Sequence, residues 1–316
     1  MKKFFGSFFG KIAVGGCCLV ASGATAWGNN VQVLREGALV KVFGDNAAND
    51  IAITQNANGD VTVVGRNGTL INGAPSARLP RVALNAMEID MAGGNDVVAI
   101  SNLRIANDLN VQLGDGSNRL LTGALPSAVG TNVSIEGGMQ ADLIRLTNWM
   151  IGGDVTIDGK AGVLDAALTG LNVGFNLNVI GDASADIINL RSCTVAGTTS
   201  LETKDGANRA TMVDLITTNL FLLSDLGNDV YSLTGIAVAQ DIEIATGKGD
   251  DRVLFLNVFV GKSLKVSMDE GVDTFQGTNT VVTEDAVFEG GFGTDTFKDF
   301  GISAGIKKEI KEFERF

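Results

Sequence analysis

Short segments with alternating apolar and polar residues recur along most of this chain. Residues 109–112 read LNVQ and residues 155–158 read VTID, so every second side chain is apolar. Such alternation places one face of a β-strand in the core and the other face in solvent. The spacing and the many β-branched residues favour short strands and exclude amphipathic helices.

The strand pattern repeats about every 22 residues, and one polar position marks each repeat. Asp229, Asp251, Asp273 and Asp295 are spaced by 22 residues, and earlier anchors precede them at steps of 21 to 24. Those earlier anchors are Asp96, Asn118, Asp142, Leu164, Asp186 and Asn208. Apolar columns follow each anchor and predict three short strands per repeat. Three strands in about 22 residues form one coil of an all-β fold, a parallel β-helix (solenoid) with coils stacked about 4.8 Å apart. The length of the chain predicts about eleven to twelve such coils.

Composition divides the chain into four expected segments. Residues 1–26 combine three lysines, an apolar run and Ala-Thr-Ala before Trp27, which is the layout of a cleaved secretory signal peptide. Lipoprotein processing at Cys17 is the alternative. We expect an N-terminal cap with irregular first coils over 27–91, regular coils over 92–300 and a C-terminal cap over 301–316. In the last segment Ile306, Ile310 and Phe313 fit a helical stripe, whereas Ile310 also fits a strand column.

The net charge and the absence of histidine exclude several classes of site. The chain has a net charge of −12 and contains no histidine, which excludes histidine-based triads and histidine-ligated zinc. Removing residues 1–26 would remove three lysines, so −12 − 3 gives −15 for the mature chain. An acidic exported chain disfavours nucleic acid and attracts cations. Cys193 and Trp149 lie in a core column, and no later segment is apolar enough to be a transmembrane segment.

Glycines and acidic residues concentrate at the corner before each anchor. The sequences GKGDD (247–251), DEGVD (269–273) and GFGTD (291–295) place glycine two residues before the aspartate. Such glycines suit a backbone with positive φ or a close neighbour. The stretch GGFGTDTF, Gly290–Phe297, resembles one haemolysin-type (RTX) calcium-binding repeat, although the tandem nonapeptides of that family are missing. The 22-residue rung over 92–300 also resembles large secreted bacterial repeat proteins, which implies the fold and export.

The RTX resemblance implies that turn carbonyls and aspartates of successive turns coordinate Ca²⁺ at this corner. The candidate metal ligands are Asp229, Asp250, Asp251, Asp269, Asp273 and Asp295. Calcium prefers six to eight oxygen ligands, and stacked carboxylates repel unless a cation lies between them. The alternative is that each of these side chains only accepts a hydrogen bond from its own turn, since asparagine also occupies the anchor position.

The function expected from these features is an exported, non-catalytic scaffold or adhesion protein of a cell surface or extracellular matrix. Its expected partners are calcium ions and an unidentified surface polysaccharide or protein. Its expected location is extracellular, periplasmic or on the cell surface. The alternative is a polysaccharide lyase or glycoside hydrolase in which Arg145, Arg191 and a corner acid act on an acidic polysaccharide.

Overall fold

The computed structural model describes residues 29–123 and 125–315, which form 36 strands and no helix. None of these residues therefore belongs to a helix capable of crossing a bilayer. The predicted signal peptide, residues 1–26, lies outside the described residues. The prediction of an all-β parallel solenoid is confirmed, because equivalent strands of successive turns pair in parallel and in register about 22 residues apart.

The N-terminal part consists of paired strands that cover one end of the stack. These strands are β1 (Asn30–Glu36), β2 (Leu39–Phe43), β3 (Asp50–Gln55), β4 (Val61–Arg66), β5 (Leu70–Ile71), β6 (Ser76–Leu79) and β7 (Ala86–Asp90). The pairs β1–β2, β3–β4 and β4–β6 are antiparallel, whereas β2 pairs in parallel with β7. Antiparallel hairpins satisfy backbone groups that an open solenoid end would leave unpaired.

Regular turns with three strands each begin at Val97. The first strands are β8 (Val97–Ser101), β11 (Arg119–Thr122), β14 (Asp142–Thr147), β17 (Leu164–Thr169), β20 (Ile187–Arg191), β23 (Arg209–Val213) and β26 (Val230–Thr234). The second strands are β9 (Arg104–Ile105), β12 (Ala128–Val129), β15 (Met150–Ile151), β18 (Asn172–Val173), β21 (Thr194–Val195), β24 (Ile216–Thr217) and β27 (Ala237–Val238). The third strands are β10 (Leu109–Gln112), β13 (Val133–Glu136), β16 (Val155–Asp158), β19 (Leu177–Ile180), β22 (Thr198–Lys204), β25 (Asn219–Ser224) and β28 (Ile242–Ala245).

In the last three turns the first and second strands merge into one nine-residue strand. The merged strands are β29 (Arg252–Val260), β32 (Thr274–Val282) and β35 (Thr296–Ala304), and the third strands are β30 (Leu264–Ser267), β33 (Asp285–Glu289) and β36 (Lys307–Lys311). Two short strands, β31 (Glu270–Gly271) and β34 (Phe292–Gly293), pair at the corner. The described chain thus makes ten turns from β8 to β35, fewer than the eleven to twelve predicted, because residues before Val97 form the hairpins.

Each turn passes between two large sheets that face each other across one core. First and second strands belong to a 20-stranded sheet, and third strands to a 14-stranded sheet. Inward side chains such as Ile144, Leu146 and Ile157 are fully buried. At the C-terminal end the core consists of phenylalanines whose ring centroids lie 4.6–5.3 Å apart, and these are Phe255, Phe275, Phe288, Phe297 and Phe313.

The C-terminal segment forms a strand and not a helix, which were the two alternatives for Ile310. Ile310 lies in β36 opposite Phe288 of the preceding turn, so residues 307–311 continue the 14-stranded sheet. The expected core residues Trp149 and Cys193 are both 1% exposed, which confirms their placement. Burial raises the pKa of the Cys193 thiol.

Candidate functional site

The anchor side chains form one column at the corner where the chain enters the 20-stranded sheet. Each anchor lies at or directly before a first strand and is at most 2% exposed. Its polar members are Asp96, Asn118, Asp142, Asp186, Asn208, Asp229, Asp251, Asp273 and Asp295. Buried carboxylates are rare unless they are paired or hydrogen-bonded, so each of their oxygens needs a partner.

One side-chain oxygen of most anchors accepts a hydrogen bond from the preceding turn. The backbone N–H of Asp229 donates to Oδ1 of Asp251 at 2.7 Å, and that of Asp251 donates to Oδ1 of Asp273 at 2.7 Å. The backbone N–H of Asp273 donates in turn to Oδ1 of Asp295 at 2.8 Å. At the last turn, the N–H of Asp295 donates to Oε2 of Glu314 at 2.7 Å. We call this series the aspartate ladder, comprising the anchors from Asp96 to Asp295.

The aspartate ladder is interrupted once, at Leu164. Leucine offers no acceptor, and the N–H of Asp142 donates instead to the carbonyl of Val163 at 2.8 Å. The ladder resumes immediately, because the N–H of Leu164 donates to Oδ1 of Asp186 at 2.8 Å. The anchors accept hydrogen bonds, but the donor of each ladder bond lies one turn earlier, whereas the turn alternative from the sequence predicted a donor in the anchor's own turn.

The second carboxylate oxygen is different at six anchors. Oδ2 is buried and has no hydrogen-bond partner within the described ranges at Asp96, Asp186, Asp229, Asp251, Asp273 and Asp295. Asp142 is an exception, since the N–H of Gly138 donates to its Oδ2 at 2.9 Å. A buried, unpaired carboxylate oxygen is costly, so these atoms mark a position that calls for a proton or a cation.

The asparagine anchors show what surrounds that position. Nδ2 of Asn118 donates to the carbonyls of Gly114 and Gly116 at 2.9 and 3.0 Å. Nδ2 of Asn208 donates to the carbonyl of Gly206 at 3.0 Å. We expect the unpaired Oδ2 atoms of the aspartate anchors to face the equivalent carbonyls, because these anchors occupy the same column with the same Oδ1 bond. At Asp142 the loop instead presents the N–H of Gly138 to Oδ2. Two acceptors facing each other repel unless a proton or a metal ion lies between them.

Burial raises the pKa of the ladder carboxyls. Desolvation is the largest cause at Asp251 and Asp273, whose pKa values rise to about 7. The charges of neighbouring anchors and of Asp250 raise these two pKa values further. Desolvation also raises the pKa of Asp229 to about 6 and raises that of Asp295. These carboxyls therefore hold protons near neutral pH much more readily than exposed aspartates do.

Of the six predicted metal ligands, the structure brings four together in the buried column. Asp229, Asp251, Asp273 and Asp295 occupy successive turns, one above the other. Asp250 is exposed beside the column, and its Oδ1 accepts a hydrogen bond from the N–H of Val272 at 2.9 Å.

The remaining candidate, Asp269, is also exposed and does not belong to the buried column. The hydroxyl of Ser267 donates to its Oδ1 at 3.1 Å. Across residues 29–123 and 125–315, no three acidic or cysteine side chains converge closely enough to hold a metal ion by themselves. Any metal at this corner would therefore need backbone carbonyls as ligands.

Close stacking explains the glycines of the corner. Gly249 has φ of 145°, and a Cβ on it would collide with the carbonyl of Gly227 in the preceding turn. Gly227 has φ of 128° and would collide in the same way with the carbonyl of Gly206. The backbones approach so closely that only glycine fits, as the sequence predicted.

The other two corners carry polar ladders as well. Asn257 and Asn279 adopt positive φ at the second corner, and Nδ2 of Asn279 donates to Oδ1 of Asn257 at 2.7 Å. At the third corner, the N–H of Asn132 donates back to Oδ1 of Asp108 at 3.0 Å, and that of Asp154 donates to Oδ1 of Asn132 at 3.0 Å. The sequence analysis did not predict this third ladder, although its residues recur about every 22 positions. Its hydrogen bonds run in the opposite direction to those of the aspartate ladder, because here the later turn donates to the earlier one.

The two arginines of the enzyme alternative differ in their contacts. Nη2 of Arg145 donates to Oδ2 of Asp165 at 2.7 Å, and Nη1 donates to the carbonyl of the same residue at 2.8 Å. Arg191 is exposed and forms no ion pair with the part of the chain that the structure describes. The two guanidinium groups lie on strands β14 and β20, two turns apart.

Comparisons with protein-family models, with curated proteins and with solved structures found no significant match. The resemblance to the RTX repeat therefore stays a prediction from the residues of the corner.

Proposed function

We propose that this chain is an exported, non-catalytic β-helical rod that serves as a scaffold at a cell surface or in an extracellular matrix. We also propose that calcium binds at the aspartate ladder and stabilises the C-terminal turns. One observation supports the calcium proposal most: among the described residues, four successive turns, from Asp229 to Asp295, each bury an Oδ2 atom with no partner at hydrogen-bond distance. The hydroxyls of Ser224 and Thr246 lie close enough to lower the pKa of Asp229 and Asp251, but burial outweighs them.

The ligand chemistry at the ladder favours calcium among the common cations. Each aspartate turn offers Oδ2 and, by analogy with Asn118, the carbonyls two and four residues earlier. All of these ligands are oxygens, and the carbonyls belong to a loop rather than to a rigid octahedral cage, which suits Ca²⁺ better than Mg²⁺. The stacked carboxylates also lie about 5 Å apart along the column, so a cation between them relieves their repulsion.

The scaffold role rests on the way in which the rod is stabilised. Strands pair with those of the adjacent turns, and side-chain hydrogen bonds at the corners connect successive turns. Such a structure is stiff along its length and presents long sheet faces to partners. In the enzyme alternative, a polysaccharide lyase or glycoside hydrolase, Arg145 would have to leave its bonds to Asp165 before it could act as a charge sink.

Thermal unfolding tests the calcium proposal. The protein is melted in EDTA, in millimolar Ca²⁺ and in millimolar Mg²⁺, with circular dichroism as the readout. Binding to the folded state alone raises stability, by about 2.7 kcal/mol at 100 times the dissociation constant. We expect a rise in Tm that Ca²⁺ produces and Mg²⁺ does not.

A double variant locates the site. In Asp251→Asn/Asp273→Asn, each new amide can donate to the turn carbonyls as Asn118 does, so Tm in EDTA should rise and the Ca²⁺ effect should shrink. Asp250→Asn removes one carboxylate at an exposed neighbour and should keep the Ca²⁺ effect. An equal response of both variants to Ca²⁺, or equal shifts with Ca²⁺ and Mg²⁺, would contradict the site.

A further inference from the structure

A groove crosses the 14-stranded sheet near its N-terminal end, on the side of the molecule that faces solvent. It has a volume of about 360 Å³ and lies on strands β2, β7, β10 and β13. The side chains that matter for its chemistry are Phe43, Glu88, Asp90, Asn110, Gln112 and Glu136. We call it the β2–β13 groove.

The lining side chains form two rows that follow from the strand register. Glu88 and Asn110 are neighbours in one row, next to Lys41 of β2. The other row contains Phe43, Asp90, Gln112 and Glu136 in that order. Outward-facing residues of parallel strands stack directly in this way, so the groove presents an aromatic ring at one end and amides in its middle.

The amides in the middle of the groove are available for a ligand. The side chains of Asn110 and Gln112 are exposed and form no hydrogen bond with any residue that the structure describes. Each amide can donate and accept at the same time. A ligand with hydroxyl groups, which also donate and accept, is the natural complement of such a pair.

Each of the three carboxylates of the groove already has one charged or hydrogen-bonding neighbour within the protein. Oε2 of Glu88 lies 3.9 Å from Nζ of Lys41, and Oε1 of Glu136 lies 3.6 Å from Nζ of Lys160. Oδ1 of Asp90 accepts the N–H of Ala92 at 3.0 Å. The remaining oxygens can accept hydrogen bonds from hydroxyls. Three carboxylates disfavour an anionic ligand, and the two lysines reduce the attraction for a cationic one.

From this arrangement we propose that the β2–β13 groove binds a short, uncharged oligosaccharide. Its hydroxyls would bond to Asn110, Gln112 and the three carboxylates, and the apolar face of one sugar ring would lie against Phe43. The four strands span about 14 Å along the rod, at about 4.8 Å per step. One step is close to the length of a pyranose ring, so about three rings fit along the groove. The proposal rests on the proposed role of the rod as a contact scaffold, and it names the class of partner.

Binding to defined oligosaccharides tests the inference. Neutral hexasaccharides of glucose, mannose, galactose and N-acetylglucosamine are titrated into the protein and followed by calorimetry and saturation-transfer NMR. Trigalacturonate and spermine serve as an anionic and a cationic probe. We expect at least one neutral hexasaccharide to bind and trigalacturonate not to bind.

Variants place the binding in the groove. Asn110→Ala/Gln112→Ala and, separately, Phe43→Ala should weaken binding at least tenfold without a change in the circular dichroism spectrum. Asn178→Ala is the matched control, since Asn178 occupies the same row as Asn110 three turns further along, outside the groove. It should bind as the parent protein does.

Three results would overturn the inference: no binding of any neutral hexasaccharide, unchanged binding in the groove variants, or binding of spermine alone. The last would mean that the carboxylates recognise charge only. The calcium response of the aspartate ladder is measured separately by melting, so loss of sugar binding and loss of the calcium effect are independent results.

Discussion

The aspartate ladder should make this protein more stable as the pH falls from 8 to 5, in the absence of calcium. Most proteins lose stability on acidification, since paired carboxylates must take up protons. Here the folded state raises the pKa of Asp251 and Asp273 from 3.8 to about 7. The folded protein therefore binds more protons than the unfolded chain between these values, and stability falls as pH rises through about 7.

The size of the effect follows from the shift. At about 1.4 kcal/mol per pKa unit, the shift of Asp251 corresponds to about 4 kcal/mol between low pH and pH well above 7. Asp251 and Asp273 interact through their charges, so the pair titrates together and the two contributions do not simply add. Oδ1 of each accepts a backbone N–H from the preceding turn.

The assay is urea denaturation in EDTA at pH 5, 6, 7 and 8, with the free energy of unfolding as the readout. The parent protein should lose several kcal/mol between pH 5 and 8. Asp251→Asn/Asp273→Asn should lose much less, because amides do not titrate. Asp250→Asn, the exposed control, should keep most of the parent slope, because the charge of Asp250 is only the smallest of the causes that raise the two pKa values. A parent curve that is flat, or that falls toward pH 5, would refute the reasoning; so would a double variant that keeps the parent slope.

Three further predictions address the packing of the rod. Gly249→Ala should destabilise the protein by more than about 2 kcal/mol in urea, since φ of 145° and the Gly227 carbonyl leave no place for a Cβ. Phe275→Ala should lower the free energy of unfolding by about 3–5 kcal/mol in the same assay. The buried ring of Phe275 packs against three others, and its centroid lies 5.3 Å from that of Phe297. Cys193 should resist iodoacetamide in the native protein and react only after unfolding, as peptide mass spectrometry can show, since it is 1% exposed and its thiol pKa is raised.

The repeat made most of the fold predictable from the sequence. Period-two alternation identified the strands, and the 22-residue spacing identified their stacking partners. The N-terminal end was harder, because alternation in residues 50–55 and 61–66 predicts strands but not their direction. These segments form the antiparallel pair β3–β4. The β2–β13 groove depends on the same region: Phe43 and Asp90 become neighbours only because the intervening chain folds away and lets β2 pair with β7.

The corner shows where a sequence pattern stops being informative. Aspartate and asparagine share the anchor column, which suggested that they are interchangeable turn residues. Their first oxygens are indeed equivalent, since Oδ1 of Asn208 and of Asp229 each accept a backbone N–H from the preceding turn. The difference lies in the second atom: Nδ2 of Asn208 donates to Gly206, whereas Oδ2 of Asp229 has no partner in the described chain.

An aspartate anchor with an unpaired Oδ2 therefore needs a proton or a cation to complete its turn, whereas the asparagine turns are complete by themselves, as is the turn of Asp142, where the N–H of Gly138 donates to Oδ2. The earlier turns depend less on a proton or a cation, because asparagine occupies anchors 118 and 208 and leucine occupies anchor 164. The four consecutive aspartates from Asp229 to Asp295 concentrate the dependence in the C-terminal turns. Protons and calcium would compete for the same Oδ2 atoms, so calcium affinity should fall on acidification while calcium-free stability rises. Observing both trends in one protein would distinguish a shared site from two unrelated effects.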